Sequence, residues 1–446
     1  MSKTVSRSVP QSAPRQPRRG ALEESSTYTF DTKVYPWNSP IPVVYVEGSS
    51  SEMGKQFGSA TKETLKKIAA FNVPTLDKLL KQSRISRKDH LSNIESVISR
   101  YTESEYLDEL NSMAEAAGVT YEDLLLTNTN IDLLYELPNP ESHGPLFCSF
   151  FGAWGDATTD GSVVAGHNDD GGRFMDQFLV LKIAKPSHGY SFVCPTVPGY
   201  LGYHSMVNST QTYCCSTGID DIMRNSQVRK DGLPGWTLFR WLGQFSNSAE
   251  DAMKRFLSVP NRTCINWCFT SAKQGSRIVE ATPKHHAFAK FPNKTKDWIV
   301  SAGKTLCSEL YPWLARVRHP STGDYRYESI KKAVEKRYGT IDSDAGVEIM
   351  SDHYDSLRDV VGASENTVCR HMEFAGRWGG TCRSLVVNFQ DRKRKDGVKT
   401  EINVSLGNGC YGYWRRIGFD ERLLPVKGLN ESEVLGATHL ARALAA

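Results

Sequence analysis

The hydrophobic positions change their period along the chain, and the first change separates a strand from a long helical region. Residues 41–46 are almost continuously apolar and end before Gly48, which predicts a buried strand. Apolar residues then recur every three or four positions as far as about residue 135, which predicts helices. Gly54 and Gly58 lie four apart on the first helix, so another element can pack closely there. The predicted helices are 52–71, 74–82, 86–100, 104–117 and 120–134.

From Cys148 onward the pattern changes to short β-type runs separated by turns. Two helical patterns interrupt these runs, at 235–257 and 325–337. The predicted strands are 162–167, 178–184, 191–194, 211–216, 263–270, 276–281, 286–291, 384–389 and 401–406. Helices that are segregated from mostly antiparallel strands favour a layered α+β architecture.

Composition narrows the class of protein. The chain has 446 residues, of which 39% are hydrophobic and 23% are charged, as is ordinary for a globular protein with a large core. No run approaches the roughly 18 consecutive apolar residues that a membrane helix needs, so we expect no membrane span.

The basic character of the chain is concentrated in its first residues. Residues 1–20 hold five basic side chains and no acid, whereas the whole chain carries +4, so the remainder carries −1. We therefore expect no nucleic-acid partner. Residues 1–30 are rich in Ser, Pro and Arg, which predicts a disordered basic tail. The tail lacks the apolar stretch of a secretory signal, which favours an intracellular, cytoplasmic location, and its Arg-rich character is also compatible with organelle import.

The sharpest local feature is a cysteine that begins a predicted β-hairpin. Residues 147–161 read FCSFFGAWGDATTDG, and residues 162–170 read SVVAGHNDD. A strand begins at Cys148, the chain turns at Asp160-Gly161, and a second strand returns and ends in acids. The hairpin therefore brings Cys148 beside residues 168–170. A thiol among hydrogen-bonding polar groups can be activated, whereas one in an apolar pocket is inert.

This segment resembles the nucleophile motif of the autoproteolytic family that includes isopenicillin-N N-acyltransferase, the acyl-coenzyme A:6-aminopenicillanic acid acyltransferase-like proteins. That family belongs to the N-terminal-nucleophile hydrolases and is related to bile-salt hydrolases and phospholipase B-like proteins. Further segments agree in order over about residues 41–415. They are VEG and EMGKQFG within 46–58, PG at 198–199, MVN at 206–208, and NTVCRH, TCRS and GNGC within 366–410. The set in register is specific, whereas no single motif is.

The resemblance implies a four-layer αββα sandwich and a two-stage chemistry. In the precursor, Cys148 attacks the carbonyl of Phe147, and hydrolysis of the thioester makes Cys148 a new N-terminus. Its α-amine, with a usual pKa of about 7.7–8.0, then acts as base for its own thiol. The thiolate attacks an amide, and water or an amine takes the acyl group.

The implied organisation follows from that cleavage. A helical segment 31–147 and a catalytic segment 148–446 form one domain and remain together as an α/β heterodimer. The implied partner is a small-molecule acyl amide or an amine acceptor.

The resemblance also implies roles for five polar residues. Asn208 matches a family asparagine and is expected to donate to the oxyanion. Asp170 is expected to orient or protonate the α-amine. His167 stands where bile-salt hydrolases have an arginine, and Asn168 follows it. These two residues and Arg326, which lies at a helix start, are expected to bind substrate.

No metal or other cofactor is expected from the sequence. Cys214-Cys215, Cys264-x-x-x-Cys268 and His285-His286 lack the paired spacings that zinc sites use. Glycine-rich phosphate loops are absent after the predicted strands, so nucleotide-dependent chemistry is not supported.

Three functions remain open from the sequence. The leading one is an amide hydrolase or N-acyltransferase with an N-terminal cysteine nucleophile. The second is a phospholipase B-like deacylase of lipid esters. The third is a non-catalytic, uncleaved relative that serves as a binding or scaffold protein, which an unreactive Cys148 would favour.

Overall fold

The computed structural model describes most of the chain beyond residue 40. The described residues are 41–102, 105–136, 148–172, 177–219, 222–316, 320–374, 377–390, 395–411, 414–429 and 434–435. The predicted tail 1–30 and Phe147 lie outside them. Among these residues, every helix is too short or too polar to cross a membrane.

Ten α-helices lie within the described residues. Eight of them belong to the layer that packs on one large sheet, and two pack on the other. They are α1 Ser50–Ala60, α2 Lys62–Gln82, α3 Arg87–Tyr101, α4 Glu105–Ala117, α5 Tyr121–Thr127, α6 Asn130–Glu136, α7 Gly235–Phe245, α8 Ala249–Ser258, α9 Thr322–Lys336 and α10 Ser343–Met350.

The boundary between the first two helices lies at Thr61, earlier in the chain than predicted. The helix begins with a capping box in which Ser49 and Glu52 satisfy each other's backbone N–H groups. It ends at Thr61, whose hydroxyl donates to the carbonyl of Phe57 and competes with regular helix bonding. The next helix then continues through Pro74, where the sequence pattern had indicated a boundary.

Twenty-one strands within the described residues form two large sheets and two small pairs. They are β1 Val43–Gly48, β2 Ser149–Gly155, β3 Gly161–Gly172, β4 Val180–Pro186, β5 Phe192–Thr196, β6 Ser205–Asn208, β7 Thr212–Gly218, β8 Ile222–Met223, β9 Ile265–Ser271, β10 Gly275–Ala281, β11 His286–Phe288, β12 Trp298–Ser301, β13 Leu314–Arg316, β14 Tyr354–Asp355, β15 Val360–Val361, β16 His371–Phe374, β17 Arg377–Phe389, β18 Thr400–Ser405, β19 Trp414–Phe419, β20 Pro425–Lys427 and β21 Val434–Leu435.

The two large sheets are mainly antiparallel. Sheet 1 has the strand order β11-β10-β9-β7-β6-β5-β4-β1-β21, and its β1 pairs in parallel with both β4 and β21. Sheet 2 has the order β12-β2-β3-β17-β18-β19-β20, with β16 added beside β17. The small pairs are β8 with β13 and β14 with β15.

The helices and the two large sheets form four layers, and a hydrophobic core lies between each pair of neighbouring layers. Successive strand residues point to opposite faces, so Val44 and Val46 pack with α1–α8 while Val43 and Tyr45 pack between the sheets. On sheet 2, side chains such as Phe151 pack against α9 and α10. The order helices, sheet 1, sheet 2, helices is the αββα sandwich, so the predicted fold class is confirmed.

The glycines predicted to permit close packing do so between α1 and α4. A Cβ atom on Gly54 would lie 2.2 Å from the carbonyl oxygen of Glu109, and one on Gly58 would lie 2.4 Å from that of Met113. No larger residue fits at either position without moving the α4 backbone. The region before residue 137 is also joined to the rest through β1, which lies inside sheet 1.

A buried group of three charges joins this helical layer to sheet 1. Glu109 on α4 accepts hydrogen bonds from Lys182 on β4 and from Arg240 on α7, each at 2.8 Å. All three side chains are at most 1% exposed. Arg240 also donates to Gln244 at 2.8 Å, which satisfies a second guanidinium N–H group.

Candidate active site

Cys148 lies where the predicted hairpin places it, immediately before β2 and beside the end of β3. In the β2–β3 register Ser149 is opposite Asn168, which brings Cys148 and Asp169 to the same face. The Cys148 Sγ atom lies 3.7 Å from the Asp169 carboxylate and is 1% exposed. The proximity predicted for the thiol and the acidic cluster is therefore confirmed.

The surroundings of this thiol are polar even though water is excluded. Burial raises the pKa of Cys148 well above its usual value, and the carboxylates of Asp169 and Asp170 raise it further. The backbone N–H groups of Asp170 and Gly218 donate towards the sulfur and act in the opposite direction. The sulfur of Cys148 is consequently a neutral thiol in this structure.

Asp169 is a site residue that the sequence did not single out. Its carboxylate pairs with Arg383 of β17 at 2.5 Å, and His204 lies 3.8 Å away. Burial acts to raise the pKa of Asp169, but the guanidinium and the neighbouring histidines hold it below its usual value. Arg383 also lies 4.1 Å from the ring centre of Tyr203. Asp169 is therefore an ionised carboxylate beside the Cys148 sulfur.

Asp170 points to the other face of β3 and meets α9. Arg326 donates to one carboxylate oxygen at 2.6 Å, and Thr381 donates to the other at 2.8 Å. The same Arg326 nitrogen also donates to Ser149 at 3.2 Å. Burial raises the pKa of Asp170 to about 7, although Arg326 and Arg370 act to lower it. Arg326 therefore holds the acid rather than presenting a free cation to substrate.

The raised pKa of Asp170 also affects stability. The folded chain binds this proton more readily than the unfolded chain does. The contribution of Asp170 to stability is therefore greatest below the usual pKa of an aspartate and declines as the pH rises to about 7.

His167 is enclosed between the two sheets, contrary to the expected contact with substrate. Its Nε2 donates to the Ser216 carbonyl at 2.7 Å, and its Nδ1 accepts from the Ser205 hydroxyl at 3.0 Å. Burial lowers the pKa of His167 to about 3, so the ring is neutral. Both ring nitrogens are used within the fold, which leaves none for a ligand.

Asn168 faces the opposite layer, and its amide nitrogen is bonded within the fold. Its amide donates to the carbonyls of Met350 and Val368, at 2.9 and 2.8 Å. The side chain fastens β3 to the end of α10 through its amide nitrogen, whereas its Oδ1 atom has no hydrogen-bond partner among the described residues. The expectation that Asn168 binds substrate stays a prediction.

Asn208 does not reach Cys148. Its amide donates to the carbonyls of Gly243 and Ser246, at 2.9 and 2.7 Å, and its oxygen accepts from the loop that follows β6. Asn208 is opposite Thr212 at one end of β7, whereas Gly218 at the other end contacts Cys148. At about 3.3 Å per residue these ends are roughly 20 Å apart. The predicted oxyanion role therefore has neither a free N–H group nor proximity to support it.

A second polar cluster, not expected from the sequence, lies beside sheet 2. We call it the His2Cys2 cluster, and it consists of His353, Cys369, His371 and Cys410. One ligand atom from each residue lies within 4.8 Å of those of the other three. The cysteine and histidine pairs weighed in the sequence form no such group among the described residues. The sequence did not predict this cluster, and the expectation that the chain binds no metal stays a prediction.

Comparison with known sequences finds distant relatives. An uncharacterized protein of Archaeoglobus fulgidus is 23% identical over 355 residues, which are 69% of this chain and 57% of that protein. Protein dcd1B of Dictyostelium discoideum is 22% identical over 254 residues, which are 51% of this chain and 47% of that protein. The chain thus spans about half the length of these relatives. No family model matches it.

Comparison with solved structures finds partial overlaps at 11–12% identity. The Caenorhabditis elegans ortholog of N-acylethanolamine-hydrolyzing acid amidase superposes with a TM-score of 0.37, over 54% of this chain and 92% of that one. Conjugated bile acid hydrolase from Clostridium perfringens gives 0.35, over 61% and 97%. Penicillin V acylase from Agrobacterium tumefaciens gives 0.34, over 58% and 83%.

Proposed function

We propose that this chain is a cysteine N-terminal-nucleophile enzyme that cuts itself before Cys148 and then cleaves or transfers an acyl group at an amide bond. The observation that carries the proposal is the position of the Cys148 sulfur between the sheets. It lies 3.7 Å from Asp169 and receives two backbone N–H groups, those of Asp170 and Gly218. A cysteine that only filled the core would not need this polar surrounding.

The first stage is cleavage of the peptide bond between Phe147 and Cys148. The thiol gives its proton to a base, and its sulfur attacks the carbonyl carbon of Phe147. The C–N bond breaks, its nitrogen takes a proton, and water hydrolyses the thioester. In this proposal Asp169, the carboxylate next to the sulfur, is the first proton acceptor. The products are a carboxylic acid at Phe147 and a free α-amine at Cys148.

The second stage uses that amine as the base for the thiol. The thiolate attacks a substrate amide, the amine leaves with a proton, and the acyl group remains on sulfur as a thioester. Water or a second amine then takes it. Asp170 is proposed to hold the α-amine, and Arg326 is a positioning residue that fixes Asp170. The two proposed stages use groups of the chain, the substrate and water, and they include no cofactor.

Intact-mass spectrometry and N-terminal sequencing of the purified chain test this proposal. We expect fragments of 147 and 299 residues, the second beginning Cys-Ser-Phe-Phe. The fragments should appear in freshly made protein without added protease. A single full-length species that stays uncut over days would contradict the proposal and favour the uncleaved scaffold protein. Cleaved protein that releases fatty acids from lipid esters but leaves amides intact would instead favour the phospholipase B-like deacylase.

Removal of the Arg326 charge should change the pH dependence of the cleaved enzyme. Arg326 is the strongest group that lowers the pKa of Asp170, so Arg326→Gln should raise that pKa by about one to three units. The acid limb of kcat/KM for amide hydrolysis should then move to higher pH by a similar amount.

The matched control is Lys336→Gln, which removes an exposed cation from the same helix. Its profile should coincide with that of the native enzyme. If Arg326→Gln lowers activity equally at every pH, Asp170 is not the titrating group.

A further inference from the structure

The His2Cys2 cluster takes no part in the proposed reaction and suggests a chemistry of its own. His353 follows α10, and Cys410 lies in the turn after β18. His371 is the first residue of β16, and Cys369 lies two residues before it. Three separate parts of the chain therefore supply four metal-ligating side chains to one point. We propose that this cluster binds a single structural Zn²⁺ ion.

Three distances between the ligand atoms, all measured from His371 Nε2, are close to those in a tetrahedral zinc site. His371 Nε2 lies 3.1 Å from His353 Nε2, 3.4 Å from Cys410 Sγ and 3.7 Å from Cys369 Sγ. Zinc bonds of about 2.0 Å to nitrogen and 2.3 Å to sulfur place two nitrogens about 3.3 Å apart, and a nitrogen and a sulfur about 3.5 Å apart. These three distances, with all four ligand atoms within 4.8 Å of one another, are compatible with one ion bound by the four side chains.

Hydrogen bonding alone does not account for this arrangement. The Nε2 atom of His371 carries one hydrogen or one lone pair, and so makes one hydrogen bond. Three other ligand atoms nevertheless approach it closely, from His353, Cys369 and Cys410. A cation at the centre accepts a lone pair from all four atoms at once. Zinc binding would displace the two thiol protons and leave the histidine protons on Nδ1.

The ligand set selects the metal and the type of site. Two thiolates and two imidazoles in a tetrahedron are typical of zinc, and hard cations such as Mg²⁺ avoid sulfur. Four protein ligands leave no open position for water or substrate, as in structural sites. Asn408 supplies an outer contact, because its amide donates to the Cys369 sulfur at 3.4 Å and to the Arg370 carbonyl at 2.8 Å.

The proposed ion would also support the candidate active site through Arg370, which lies between two ligands in the chain. The Arg370 backbone N–H donates to the Thr381 hydroxyl at 2.9 Å, and Thr381 donates to Asp170 at 2.8 Å. The metal site itself does not depend on the proposed enzyme activity. An effect of zinc removal on activity, in contrast, rests on the proposed function.

Metal analysis of the native chain tests the site directly. The full chain is expressed with zinc in the medium, purified without nickel or chelators, and analysed for zinc and iron by plasma mass spectrometry. We expect about one zinc per chain that survives gel filtration. Cobalt exchanged into the site should give the strong visible bands of a tetrahedral centre with thiolate ligands.

Three variants connect the metal to the cluster. Cys369→Ser and His371→Ala should each reduce the zinc content at least about tenfold, whereas Cys382→Ser should keep it, because Cys382 is outside the cluster. Native protein that lacks zinc and cobalt binding would overturn the proposal, and so would a disulfide between Cys369 and Cys410. Equal zinc loss in the Cys382→Ser control would overturn the assignment as well. Zinc analysis needs neither cleavage nor substrate, so this test fails or succeeds independently of the proposed reaction.

Discussion

Cys148→Ala is expected to remain a single chain of 49.8 kDa and to lose amide hydrolysis by about 10³-fold or more. The substitution removes the sulfur that is proposed to attack the carbonyl of Phe147 and, in the second stage, to accept the acyl group. The backbone N–H groups of Asp170 and Gly218 remain, so the fold around the site should persist. Denaturing electrophoresis over several days, with an amide substrate assay beside it, measures both effects.

The matched control for this variant is Cys268→Ala. Cys268 is another buried cysteine, but it packs in the core between the sheets. That variant should be cleaved and should retain activity. If Cys148→Ala is cut at the normal rate, the nucleophile has been assigned to the wrong residue. If Cys268→Ala is also uncut, the loss reports general damage to the core.

Glu109→Gln is expected to lower the free energy of unfolding by about 3–5 kcal/mol. The substitution keeps the shape of the side chain but leaves Lys182 and Arg240 as two buried cations without a counter-charge. Aromatic faces compensate only in part: Lys182 lies 4.7 Å from the Phe57 ring centre, and Arg240 lies 4.4 Å from that of Phe192. Urea unfolding followed by tryptophan fluorescence provides the measurement.

An exposed acid on the same helix provides the comparison for Glu109. Glu115→Gln removes a carboxylate at the α4 surface and should change stability by less than about 0.5 kcal/mol. Adding Lys182→Met to Glu109→Gln should recover part of the loss, because one buried cation is then removed as well. Equal unfolding midpoints for Glu109→Gln and Glu115→Gln would show that the buried charges do not stabilise the native chain.

The local parts of the site were predictable because the information for them lies close together in the chain. The turn at Asp160-Gly161 fixes the hairpin, and the hairpin alone brings Cys148 to the acids. The two acids could not be assigned in the same way. Asp169 and Asp170 are adjacent, so they face opposite sides of β3, and a shift of one residue in register would exchange their roles. Only the structure shows that Asp169 contacts the thiol.

The partners of these acids are distant in sequence, which explains why residue patterns did not reveal them. Arg383 is placed by the pairing of β17 with β3, and His204 by the packing of sheet 1 against sheet 2. The His2Cys2 cluster has the same origin, since only two of its members are near each other in the chain. Asn208 shows the opposite case, in which a matching motif occupies the far end of a neighbouring strand.

The position of β1 has a consequence for the two fragments that the proposed cleavage would produce. This strand lies between β4 and β21, both of which come from the portion that follows Cys148. Dissociation of the fragments would expose both edges of β1 and open sheet 1 near its edge, at a cost comparable with global unfolding. The cut protein should therefore migrate as one particle on a native gel, and a ribosome-bound chain cannot complete this sheet until residue 434 has been synthesised.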